Sequence, residues 1–141
     1  MDDAVIDATV VAYANGPISA NPKGALARCL PVIRRILDGQ WRCRYNARLL
    51  TQYGDQVKAT RNDFIDMFFE LLDSGLAVRG PNSLRHHEYA KARKIRWPTH
   101  DHLLLAAAIG GNNPRIVVTE PRLAQLSDLA RREFGVTVVQ V

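Results

Sequence analysis

Short apolar runs rich in β-branched residues recur along this chain, each followed by a stretch with helical spacing. That alternation constrains the fold more than any other feature. Ala4-Val5-Ile6-Asp7-Ala8-Thr9-Val10-Val11-Ala12 reads as a strand buried on both faces, of the kind found at the centre of a parallel sheet. Trp41-Arg42-Cys43-Arg44-Tyr45, Leu76-Ala77-Val78, Arg115-Ile116-Val117-Val118-Thr119 and Val136-Thr137-Val138-Val139 read as further strands. Strands separated by helices imply crossover connections and helices on both faces. The expected fold is therefore a three-layer α/β/α arrangement around a central, mostly parallel sheet of four to five strands. At 141 residues it forms a single domain spanning 1–141.

The intervening segments carry helix signals of varying strength. Leu26, Leu30, Ile33 and Leu37 fall at near-helical spacing after Pro22, and Pro31 predicts a kink or a restart among them. Asn46 is a natural N-cap for a helix from about Ala47 to Val57. Thr60 or Asn62 opens another, carrying Phe64, Ile65, Phe68, Phe69, Leu71 and Leu72 as core or interface residues. Thr99 caps a helix over His100–Ile109 that stops at Gly110-Gly111, and Pro121 starts one that runs to Gly135. Asn15-Gly16-Pro17 marks a loop, and 79–97 is the least regular stretch.

Composition narrows the setting. A chain this long buries enough surface to fold without a disulfide or structural metal. Cys29 and Cys43 form no CxxC pair, the N-terminus is acidic, and no apolar run approaches the ~18 residues of a membrane span. The expectation is a cytoplasmic protein with no membrane association. The formal charge of +5 leans weakly toward an anionic partner.

In open parallel sheets, ligands bind beyond the carboxyl ends of the strands. Three acids sit where that edge should be: Asp7 near the end of the first run, Asp101 in the first turn of a helix, and Glu120 after Val118-Thr119. Converging carboxylates repel one another unless a cation neutralises them, and an oxygen-rich acidic site suits Mg²⁺ or Mn²⁺. Two such ions suffice for phosphodiester hydrolysis. Plainer readings stand beside this one. An acid in a first turn is favoured by the helix dipole alone, which would account for Asp101 and Glu120. Asp7 resists such a reading, because a carboxylate within a Val/Ile/Ala run is costly unless paired.

At these residues the chain resembles a family. Val5-Ile6-Asp7-Ala8-Thr9-Val10-Val11 is similar to the opening strand of PIN domains, the metal-dependent nuclease fold that includes VapC-like toxins. Asp101-His102-Leu103-Leu104-Leu105-Ala106-Ala107-Ala108 is similar to the helix carrying that family's third acid, and Ile116-Val117-Val118-Thr119-Glu120 to its fourth strand and final acidic position. Leu49–Val57 resembles the helix of its second acid. The resemblance implies a toxin-like endoribonuclease that hydrolyses RNA with Mg²⁺ or Mn²⁺. Asp7 and Asp101 would be catalytic metal ligands and Glu120 a further ligand, with Gln52, Asp55, Thr9 and Thr119 in support. It also implies a homodimer and an antitoxin protein as partners. The chain departs from the pattern at Gln52, where the family has glutamate; Asp55, three residues on, is a candidate to compensate.

Around the acids, Arg85, Lys91, Arg93, Lys94 and Arg96 are candidates to hold RNA phosphates, with Tyr89 or Trp97 to stack on a base. His100 and His102 are spaced so as to lie apart on a helix; they are surface residues or phosphate contacts, and His86-His87 lacks the cysteines of a zinc site. The alternative function is a catalytically degenerate PIN-like module that binds RNA or a protein partner, favoured by Gln52. A small-molecule site is the weakest option, because no glycine-rich phosphate loop is present.

Overall fold

The opening apolar run divides at its one charged residue. In the computed structural model, which describes residues 1–16, 21–58 and 60–141, β1 covers Asp2–Ile6 and α1 covers Ala8–Ala14, with Asp7 as the N-cap between them. The strand is therefore shorter than its β-branched composition suggests, and Thr9, Val10 and Val11 are helical. β-propensity is a weak preference that burial overrides: Val10 and Val11 are fully buried on α1. Asn15 and Gly16 leave the helix as expected of a loop, while Pro17 lies outside the described residues.

The remaining elements follow in order. They are α2 (Ala25–Leu37), β2 (Trp41–Tyr45), α3 (Ala47–Gln56), α4 (Asp63–Asp73), β3 (Val78–Arg79), α5 (His86–Lys94), a 3₁₀ turn (Thr99–Asp101), α6 (His102–Ala108), β4 (Arg115–Val118), α7 (Pro121–Ala124), α8 (Ser127–Phe134) and β5 (Thr137–Gln140). The five strands form one all-parallel sheet in the order β3-β2-β1-β4-β5. The eight helices among the described residues complete a three-layer α/β/α fold. α1 and α2 pack on each other and against β4 and β2, α6 lies across β1, β2 and β4, and α7 and α8 cover β5. Ala4, Val5 and Ile6 are fully buried, as a central strand covered on both faces requires. Among the described residues, no helix is long and apolar enough to cross a membrane.

Four further local readings change. α2 begins after Gly24, whose φ of 79° suits glycine, and it continues through Pro31 without a break. Pro31 and Ala27, whose carbonyl loses its usual partner, are both exposed, so solvent serves that carbonyl. The stretch read as irregular contains α5, whose first turn is held from one side: the Glu88 carboxylate accepts from the Arg85 backbone N–H at 2.8 Å and from its guanidinium at 3.2 Å. The helix expected over His100–Ile109 is a 3₁₀ turn followed by α6, and the single helix expected after Pro121 is two, α7 and α8.

Elsewhere the caps stand where their residue types put them. Asn62 caps α4 by accepting from the Ile65 N–H. Asn46, fully buried, accepts from the Leu49 N–H and donates to the carbonyls of Pro81 and Leu103. One amide thereby ties α3, α6 and the segment after β3 together, with its buried polar atoms satisfied.

Candidate functional site

Asp7 is positioned by its backbone from two sides. Its N–H donates to the Val117 carbonyl of β4 at 3.0 Å, and the carbonyl of Ile6 just before it accepts the hydroxyl of the buried Tyr53 on α3. It occupies the N-cap position of α1 in extended backbone, yet its carboxylate makes no capping hydrogen bond. An aspartate at that position ordinarily spends its oxygens on the first free N–H groups; here they remain available to the space beyond the strand ends.

Asp101 is held as firmly. Its N–H donates to the Pro98 carbonyl at 3.0 Å, and its own carbonyl accepts the indole N–H of buried Trp97 at 2.8 Å. The side chain is 16% exposed, and Oδ2 lies 3.2 Å from Nε2 of the exposed His100. That oxygen is sealed from solvent and has no hydrogen-bond donor. Glu120, the exposed N-cap residue of α7, also caps nothing.

These residues share one cleft of about 280 Å³, lined by Asp7, Thr9, Gln52, Gln56, His100, Asp101, Thr119 and Glu120. Its floor is the carboxyl edge of the sheet, at the ends of β1 and β4. Burial pushes the Asp7 carboxyl up to about 6, and repulsion from Asp101 and Glu120 adds to that, against the opposing Ala8 N–H and His100. Burial likewise raises the Asp101 carboxyl; Glu120 raises it further, while His100, Arg122 and His102 oppose. Paired structural carboxylates shift the other way, so two neighbouring acids both pushed up mark a site that strains against its own charge.

The structure thus brings Asp7, Asp101, Glu120, Gln52, Thr9 and Thr119 to one place. Asp55 is not there: it is exposed and does not line the cleft. Gln56 lines it instead, one turn beyond Gln52 with buried Tyr53 between them. The signal for Gln56 was its four-residue offset from Gln52, which keeps a helical side chain on the same face. His100 also belongs to the cleft. His102 does not; it is buried, its ring lies edge-on to Tyr89 at 5.2 Å, and Nε2 stands 3.3 Å from the Trp97 carbonyl.

The donors suit a hard divalent cation, being carboxylates, amide oxygens and hydroxyls. Asp101 Oδ2, sealed from solvent and making no hydrogen bond although His100 Nε2 stands 3.2 Å away, fits a cation as a further partner. The acids are not drawn into a ready ligand set, however. Among the described residues, no group of three His, Cys, Asp or Glu side chains stands close enough to hold an ion.

The basic candidates lie apart. Arg85, Lys91, Arg93, Lys94 and Arg96 are exposed on and around α5, and none lines the acidic cleft. Arg85 pairs with Glu88 at 3.2 Å and Lys94 with Glu133 at 3.0 Å. Trp97 is only 3% exposed, so it does not stack on a base; it supports Asp101 from beneath. Tyr89 is 41% exposed. Compared with known proteins, the chain matches no family model, no curated protein and no solved structure.

Proposed function

We propose that this chain is a Mg²⁺- or Mn²⁺-dependent endoribonuclease of the PIN type, toxin-like, hydrolysing RNA phosphodiesters. The observation that carries this reading is the pair Asp7 and Asp101. Both are held by their backbones at the carboxyl edge of a parallel sheet, the Asp7 side chain caps nothing and Asp101 Oδ2 makes no hydrogen bond among the described residues, and both have raised carboxyl pKa values. Asp7, Asp101 and Glu120 would hold the ion, and the Gln52 and Gln56 amides and the Thr9 and Thr119 hydroxyls would orient the carboxylates and the scissile phosphate. A divalent cation bound there supplies charge neutralisation and Lewis acidity toward the phosphodiester. His100, exposed at the rim, is placed to contact a phosphate oxygen.

RNA cleavage in Mn²⁺ by the wild type, Asp7→Asn and Asp101→Asn tests the proposal. Loss of about 100-fold or more in both variants is expected, from the size of transition-state electrostatic terms. Equal rates in all three would remove the assignment. Glutamine at 52 and the absence of a three-ligand cluster favour a second reading, a PIN-like module that binds RNA or a protein without cutting. Calorimetry decides between them: heat of Mn²⁺ binding that Asp101→Asn abolishes supports the nuclease, and no heat at millimolar Mn²⁺ supports the binding module. A cytoplasmic location, a homodimer and an antitoxin partner belong to the same proposal.

A further inference from the structure

A second cluster of charge, opposite in sign, lies away from the acidic cleft. Along one side of α2, Arg28 and Arg35 stand two turns apart and face a groove of about 280 Å³. Arg115 at the start of β4 and Trp41 at the start of β2 line the same groove, with Val139 of β5 in its wall. The guanidinium carbons of Arg35 and Arg115 each lie 4.8 Å from the Trp41 ring centre, so one indole holds two cations in place.

The charge here is poorly balanced. Arg115 donates to Asp2 at 2.7 Å, and that is the only carboxylate any of the three arginines touches among the described residues. Among the described residues, Arg28 hydrogen-bonds only the Lys23 backbone carbonyl, at 3.0 Å. α2 itself contains three arginines and no acid. Nε of Arg115 is sealed from solvent and makes no hydrogen bond, so part of that guanidinium's donor capacity is unmet. Gathering cations this closely costs energy unless an anion completes the set. Arginine presents the fork geometry that phosphate oxygens accept, and the stack on Trp41 orders that fork in advance.

We propose that this groove is a phosphate-binding exosite that holds a single-stranded RNA several nucleotides away from the acidic cleft. That the anion is an RNA strand rests on the function proposed above; that the groove takes phosphate rests on the arginines alone. Trp41 and Arg115 open their strands, whereas the acids sit where the strands end. The Trp41–Arg115 end of the groove is thus separated from the acids by about the length of β4, on the order of 13 Å, while Val139 and Val141 carry the groove toward the carboxyl edge, so a few nucleotides of extended strand can span the interval. The groove, rather than α5, would supply the cations that keep the backbone in reach of the cleft.

The test is fluorescence anisotropy with a labelled oligouridylate of about a dozen nucleotides, in EDTA so that nothing is cut, over a salt series. Arg28→Ser with Arg35→Ser alters two exposed side chains and should leave the thermal midpoint nearly unchanged. It should weaken binding about tenfold and lower the salt slope by about 1.4, the value for two single-strand phosphate contacts. Arg93→Ser with Lys94→Ser on α5 should change little. Unchanged affinity and slope in the α2 variant would overturn the proposal, as would a larger loss in the α5 variant. Inorganic phosphate competing at concentrations comparable to RNA would overturn the strand reading. Because binding is read without metal, a chain that binds through α2 but never cleaves sinks the nuclease and leaves this site standing. A chain that cleaves but binds through another surface does the reverse.

Discussion

Asp3 and Asp7 belong to the same short stretch of chain, four residues apart, and meet opposite fates. Asp3 is fully buried near the amino end of β1. Its carboxylate accepts from Arg42 at 2.8 and 3.1 Å and from the Asn112 N–H at 2.8 Å, and Arg44 stands 3.8 Å away. Burial alone would push its pKa up, but those donors outweigh it and hold the carboxyl below the usual range. The packing there leaves no slack: a Cβ on Gly111 would come within 2.9 Å of both Asp3 Oδ2 and the Arg44 side chain. Asp7 lies at the other end of the strand, where it caps nothing and where the Ala8 N–H and His100 do not outweigh burial and the neighbouring acids. The difference teaches how to separate a carboxylate that holds a fold together from one kept free for another purpose. Burial is common to both; the set of donors distinguishes them.

Removing Asp3 should have the largest effect. Asp3→Ala strands the donors of Arg42, Arg44 and Asn112 and should cost roughly 2–4 kcal/mol, measured as a fall in the urea midpoint. A change within error would mean that Asp3 is not the structural partner its contacts describe. Because its carboxyl is lowered, its stabilisation is present above the unfolded value of 3.8 and fades as pH falls below that.

Asp7→Asn should act with the opposite sign. With a carboxyl raised from 3.8 to about 6, the folded chain keeps a proton where the unfolded chain has released it. Stability therefore falls as pH climbs through that window and stays reduced above it. In EDTA near neutral pH, Asp7→Asn should stabilise the protein by roughly 1–3 kcal/mol, a gain that disappears below about pH 4. Destabilisation at neutral pH would show that Asp7 has a structural partner after all, and the contrast with Asp3 would break. Gain of stability with loss of cleavage is the trade expected of a site residue.

The smallest effect sharpens the comparison from the cleft itself. Gln52→Glu adds a carboxylate beside Asp7 and Asp101, and should lower the metal-free thermal midpoint by a few degrees. It should also tighten Mn²⁺ binding, read by calorimetry. Tighter binding would support a weakened metal site; no change in either quantity would place position 52 outside the reach of any ion.

Much of the architecture was legible along the chain. β2 and α3 fall where alternation and Asn46 put them, because local pattern and tertiary burial agree there. Agreement failed where a local preference was outvoted. Val10 and Val11 favour strand but are packed as helix, Pro31 argues for a break that its exposed position does not enforce, and α5 had too few apolar residues to announce itself, only Glu88 and Ala92 being buried on it. The site was half legible. Asp7, Asp101 and Glu120 were conspicuous as acids after apolar runs, and all three line the cleft. Gln56 carries no charge to draw the eye, and Asp55 drew it wrongly, since a three-residue and a four-residue offset diverge around a helix.

By itself, the sequence determined the class of fold and the identity of the acids, because hydrophobic period and residue chemistry are local properties. Only the tertiary structure decided which acids are satisfied. Asp3 and Asp7 look alike in the chain; what separates them is that β2 and the turn before β4 bring donors to one end of β1, while α6, α7 and the end of β4 bring more negative charge to the other. A carboxylate's state depends on neighbours that are distant in sequence, and strand order sets those neighbours.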